Sequence, residues 1–147
     1  ALAPLMLLES FVVDFPAGKP SPHAVPPIYR TPQVRSARSL VSLPEYRGTP
    51  EWFNGADYLY FSTTHWRPIV NGFGRAEPAG HADLVGQARD FPAQTAALSE
   101  AGVQYVVVHS NRFPDNARRL LAEAQASPGC RLVLRSGPDY LFEILGS

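Results

Sequence analysis

The chain has 147 residues, the size of one domain able to bury roughly 68–70% of its unfolded surface. Its 13 basic residues balance 13 acidic ones and neither sign runs in a block, which argues against nucleic acid as a partner. The single cysteine, Cys130, excludes an internal disulfide and a cysteine-rich zinc site while leaving an exported location open.

Leu5 to Val13 is apolar apart from Glu9 and Ser10 and lies between Pro4 and Phe15-Pro-Ala-Gly18, which predicts a short buried strand. The proline-dense stretch from Lys19 to Pro32 lacks backbone donors and predicts an extended surface strap, taken here as residues 19–38. Leu40 to Leu43, stopped by Pro44, predicts a second strand. Trp52 to Trp66 fits a helix, with Phe53, Asp57, Tyr60, Phe61 and Thr64 three and four apart; a strand at Tyr58 to Phe61 is the alternative. Gly72, Gly74, Pro78 and Gly80 mark a loop. His81 to Ala101 is mainly helical, with a break near Arg89 to Pro92 and a stop at Gly102.

Val103 to His109 is the clearest parallel-type strand, and Pro114 to Ala126 carries the apolar stripe of a helix in Ala117, Leu120, Leu121 and Ala124. Cys130 to Leu134 and Tyr140 to Leu145, joined by Arg135-Ser-Gly-Pro-Asp139, form a hairpin. The order of elements predicts a single α/β domain, a layered sandwich with a mixed, partly parallel sheet and a C-terminal β-hairpin.

The run from Tyr58 to Gly72, Tyr-Leu-Tyr-Phe-Ser-Thr-Thr-His-Trp-Arg-Pro-Ile-Val-Asn-Gly, matches no metal, phosphate or nucleophile motif. It resembles the Ser-Thr-x-His-Trp-x-Pro-x-Val-Asn-Gly signature of the C-terminal extracytoplasmic domain in large bacterial membrane proteins of the GT-C glycosyltransferase type. Weaker matches follow in the same order along most of the chain: Glu9, Val25-Pro-Pro-Ile-Tyr29, Leu40-Val-Ser-Leu-Pro44, Pro78-Ala-Gly80 and Gly102-Val-Gln-Tyr-Val-Val-Val-His109. Phe73-Gly74-Arg75 departs from the Ser-Gly-aromatic of such proteins, and the stretch from Thr31 to Arg38 lacks an aromatic they carry.

The resemblance implies a soluble module of a polytopic, mannosyltransferase-like membrane protein, on the extracytoplasmic face of the bacterial inner membrane. Its partner would be the membrane-embedded part of the same chain, and the whole protein would use a lipid-phosphate-linked sugar donor. The catalytic carboxylate of such transferases lies in an early loop between membrane helices, so no catalytic residue and no cofactor is carried over to this chain. The start at Ala1 followed by Leu-Ala-Pro-Leu-Met-Leu-Leu reads as cut from something longer, just after a membrane helix.

Ligand-binding candidates are His65, Trp66, Arg67 and Asn71, with Arg75 on the adjoining loop. A tryptophan face stacks on a sugar ring, and arginine and asparagine fix hydroxyls or a phosphate. The structural alternative puts Trp66 in the core, His65 at a helix cap and Asn71-Gly72 in a plain turn. His109 ends a parallel strand, where α/β folds place functional groups, and is otherwise a histidine held by a hydrogen bond at the sheet edge. The four histidines lack metal-helix spacing, and Gly72-Phe-Gly74 lacks the third glycine of a dinucleotide loop. The expected function is a non-catalytic module that packs near the transfer site and touches glycan or acceptor. The alternatives are a small hydrolase or transferase using His109 and the His65 loop, and a structural interaction domain of the cell envelope.

Overall fold

Four short segments assemble into one sheet in the structure, a computed structural model that describes residues 24–44, 53–71, 91–112 and 114–146. They are β1 (Leu40–Leu43), β2 (Tyr105–His109), β3 (Cys130–Ser136) and β4 (Asp139–Ile144), in the spatial order β1-β2-β4-β3. β1 runs parallel to β2 with Leu40 opposite Tyr105, and β4 is antiparallel to both β2 and β3. The sheet is therefore mixed and ends in a hairpin, giving the α/β architecture expected from the order of elements. The hairpin joins β2 through its second strand, which leaves β3 outermost. Its turn is tighter than the sequence predicts, only Gly137 and Pro138, because Gly137 adopts the positive φ of 61° that opens a two-residue hairpin loop.

Every residue of β2 is buried, as befits a central strand covered on both faces. On one face Tyr105 and Val107, with Leu40 and Leu141, pack against a 3-10 turn (Pro27–Arg30), α1 (Pro32–Ser36) and α2 (Phe53–Ser62). Val106 and Val108, with Val41, Leu43 and Phe142, meet α3 (Phe91–Glu100) and α4 (Pro114–Ala126) on the other. The stripe predicted for α4 is the one it buries: Ala117, Leu120 and Ala124 are inside and Leu121 packs beside them. Past the end of α3, Gly102 takes φ 72°, the left-handed stop that glycine supplies without a Cβ clash.

The proline-dense segment corrects the strap expectation from Pro27 onward. Residues 27–30 and 32–36 are helical, and Ile28, Tyr29, Val34 and Ala37 are buried core. Pro27 and Pro32 each sit in a first helical turn, where a missing N–H removes no bond and a fixed φ favours the helix. Within Trp52–Trp66 the helix α2 runs over Phe53–Ser62 and stops four residues short of the expected end, residues 63–65 forming a turn before Trp66. The predicted strand at Leu5–Val13, the strap before residue 24, the loop from Gly72 to Gly80 and the helix from His81 to Arg89 lie outside the described residues.

Candidate functional site

The β2–β4 register sets His109 directly opposite Asp139, and the alternation of the strands turns both side chains toward the face covered by Tyr29. His109 Nδ1 lies 2.7 Å from Asp139 Oδ1, and His109 Nε2 lies 2.8 Å from the Tyr29 hydroxyl, which is itself 2.6 Å from Ser42 Oγ. A carboxylate only accepts, so Nδ1 carries the imidazole proton and Nε2 accepts from Tyr29. The Tyr29 proton is then committed to His109, and Ser42 must donate to Tyr29. One directed chain, Ser42 to Tyr29 to His109 to Asp139, results. Tyr58 stacks on His109 at 5.3 Å between ring centres, and Arg112 lies over the Tyr58 and Phe61 rings while bonding Asp57 at 2.8 Å.

All four members of the chain are buried, with His109 at 0% exposure. Burial lowers the His109 pKa, although its hydrogen bond and charge contact with Asp139 push the other way, and burial drives the Tyr29 phenol well above its ordinary value. The imidazole is thus neutral, with both nitrogens engaged. Ser110, adjacent in sequence, points elsewhere: its hydroxyl donates to the Pro138 carbonyl at 2.7 Å and its N–H donates to the same oxygen. The arrangement is chemically a proton-ordered latch between the sheet and the elements over it.

A second constellation surrounds the end of α2. The N–H groups of His65 and Trp66 both donate to the Ser62 carbonyl, and the Arg67 N–H donates to His65 Nδ1 at 3.0 Å. An imidazole nitrogen that accepts carries no proton, so His65 is neutral with its hydrogen on Nε2, a buried atom with no partner among the described residues. Burial, and then the Arg67 charge, lower the His65 pKa. The His65 ring stacks on Tyr29 at 5.6 Å and 13°. This compact turn throws Trp66 outward, 81% exposed, with φ at 53°. Arg67 Nε donates to the Arg35 carbonyl at 2.6 Å.

His65, Trp66 and Arg67 therefore share one surface turn, with Trp66 displayed and His65 beneath it. Asn71 does not join them. It is wholly buried, and its amide takes the Ser42 N–H on Oδ1 and gives Nδ2–H to the Ser42 carbonyl. With Leu40 N–H donating to Pro68 and Val70 N–H to Leu40, Asn71 completes the outer edge of β1 as another strand would. It has no exposed surface to offer a ligand. His109 sits apart, sealed in a central strand rather than at the sheet edge, and Arg75 lies outside the described residues.

Sequence reasoning did not find Tyr29, Ser42 or Asp139 as the partners of His109, nor Arg35 beside Arg67. Only Asp139 carried a usable signal, since pairing the hairpin with Val103–His109 sets it opposite the histidine. Among the described residues no group of three His, Cys, Asp or Glu side chains is placed to hold a metal ion. Comparison with protein-family models, curated proteins and solved structures gives no match to this chain.

Proposed function

We propose that this domain is the non-catalytic, extracytoplasmic C-terminal module of a GT-C-like membrane glycosyltransferase. In this reading the chemistry belongs to the membrane-embedded part of the same protein, which takes a lipid-phosphate-linked sugar as donor, and the module packs near the transfer site. The observation that carries the non-catalytic part is His109: its two nitrogens are both occupied and the residue is buried, so it is not open to a substrate proton. The resemblance of Ser62 to Gly72 supplies the family. A hydrolase using Ser110 and His109 is disfavoured by the Ser110 hydroxyl, which faces the Pro138 carbonyl instead of the imidazole.

The test is turnover by the purified 147-residue chain on p-nitrophenyl esters and on a lipid-phosphate hexose. No turnover is expected on either. Measurable turnover abolished by His109→Ala, in a variant whose circular dichroism is unchanged, would overturn the reading and promote a self-contained enzyme.

A further inference from the structure

Trp66 occupies a conformation that disfavours it. At φ 53° a left-handed residue just past a helix end is ordinarily glycine, and an L-residue with a full side chain is disfavoured there by the steric cost of its Cβ. An indole 81% exposed recovers little of that through burial, so folding alone does not account for a tryptophan at this position. The turn is nevertheless over-determined: the shared Ser62 acceptor, the His65 Nδ1 contact and the Arg67–Arg35 contact fix the backbone on both sides of it. Backbone strain held in place by its surroundings in this manner concentrates at binding sites.

The charge carried by the same turn narrows what it binds. Arg35 and Arg67 are both exposed and linked to each other through the Arg67 Nε to Arg35 carbonyl bond. No carboxylate among the described residues pairs with either guanidinium, a condition they share with Arg30, Arg38 and Arg135, whereas Arg112, Arg118, Arg119 and Arg131 each have an acidic partner. An exposed aromatic residue with Arg67 next to it in the chain, and Arg35 joined to Arg67 through its backbone carbonyl, suits a ligand with an apolar ring face and an anionic group beside it.

We propose that Trp66, Arg67 and Arg35 form a surface site for an anionic saccharide, its ring lying on the indole and its phosphate or carboxylate held by the two guanidiniums. The site goes beyond the module reading and stands independently of it, since it needs only the turn after α2 and Arg35 on α1. It also replaces Asn71, whose amide serves the β1 edge, with Arg35 as the third contact.

Titration of the chain by calorimetry with a hexose 1-phosphate, a hexuronic acid, a methyl hexoside, inorganic phosphate and phosphatidylglycerol vesicles tests it. The hexose 1-phosphate or the hexuronic acid should bind at least about tenfold more tightly than both the methyl hexoside and inorganic phosphate. Whichever of the two binds more tightly identifies the anionic group. Trp66→Gly, which relieves the backbone and so keeps the fold, should remove this binding; Arg35→Ala, which leaves the accepting carbonyl in place, should weaken it about tenfold or more. Equal affinity for inorganic phosphate, unchanged binding in Trp66→Gly, or no binding of either anionic sugar would overturn the proposal. So would binding to vesicles alone, which would make Trp66 an interfacial anchor. Turnover by the chain would defeat the module reading while leaving this site standing.

Discussion

Tyr29→Phe removes one oxygen and disturbs two buried partners. In the native chain the phenol donates to His109 Nε2 and accepts from Ser42, at 2.8 and 2.6 Å, where none of the three residues meets water. The ring itself stays, so packing against Phe61 and His65 is preserved and no cavity larger than a hydroxyl forms. An orphaned buried donor or acceptor costs about 1–3 kcal/mol, and two of them give about 2–4 kcal/mol once the Ser42 hydroxyl is allowed to rotate. For a urea slope of roughly 2 kcal/mol per molar the midpoint falls by about 1–2 M, with the slope unchanged. Adding Ser42→Ala removes one of the two orphans, so that substitution should cost about 1 kcal/mol less in the Tyr29→Phe background than alone. A single-variant loss below about 0.5 kcal/mol, or strict additivity in the double variant, would refute the reasoning by showing that the chain of hydrogen bonds does not hold the face closed.

Asn71→Ala should lower stability by about 2–3 kcal/mol, because the Ser42 N–H and C=O lose their partners at a buried strand edge. Amide exchange at Ser42 that stays as slow as in the parent chain would contradict the edge-closing role. Stability should also fall on acidification from pH 6.5 to 5. His65 and His109 both have folded pKa values below the ordinary 6.5, so in that window the unfolded chain binds the extra protons. Their contribution is fully present above pH 6.5 and is lost at up to about 1.4 kcal/mol per pH unit per histidine as pH falls toward the folded values. The groups around His109 are Asp139, Arg112, Asp57 and Tyr29, and Arg67 faces His65, so the two histidines titrate in different surroundings. His65→Gln should therefore reduce the acid slope without abolishing it, and a flat stability profile between pH 5 and 6.5 would show that neither histidine is held neutral.

What could be read from the sequence divides along the range of the forces involved. Val103–His109 and Pro114–Ala126 are legible because their periodicity and breakers are local, and α4 and β2 appear where the pattern puts them. The proline-dense segment is not, because proline content is compatible with an extended chain and with helical N-termini alike. The choice at Pro27 and Pro32 depends on a sheet face that Ile28, Tyr29 and Val34 can cover. Tyr58 to Phe61 is ambiguous for a similar reason, since aromatics suit strand and helix equally and their place over the sheet decides the matter. Asn71 shows the limit most sharply: an Asn-Gly pair reads as a turn, and only the register of β1 reveals that its amide serves the backbone of Ser42.

The two buried histidines among the described residues are alike as letters, and their neighbours separate them. His109 is closed on both nitrogens by residues 80 and 30 positions away, Tyr29 and Asp139, and no local pattern announces either contact. His65 is organised by Ser62 and Arg67, within its own turn, so a motif spanning eleven residues retains the information needed to build it. Tyr29 joins the two, stacked on His65 and bonded to His109, and thereby anchors the base of the Trp66 turn to the central strand. A sealed polar chain at the core and a strained aromatic at the surface are then parts of one device. The former contributes rigidity, and the latter uses that rigidity to hold an indole where solvent and backbone preference would otherwise not favour it.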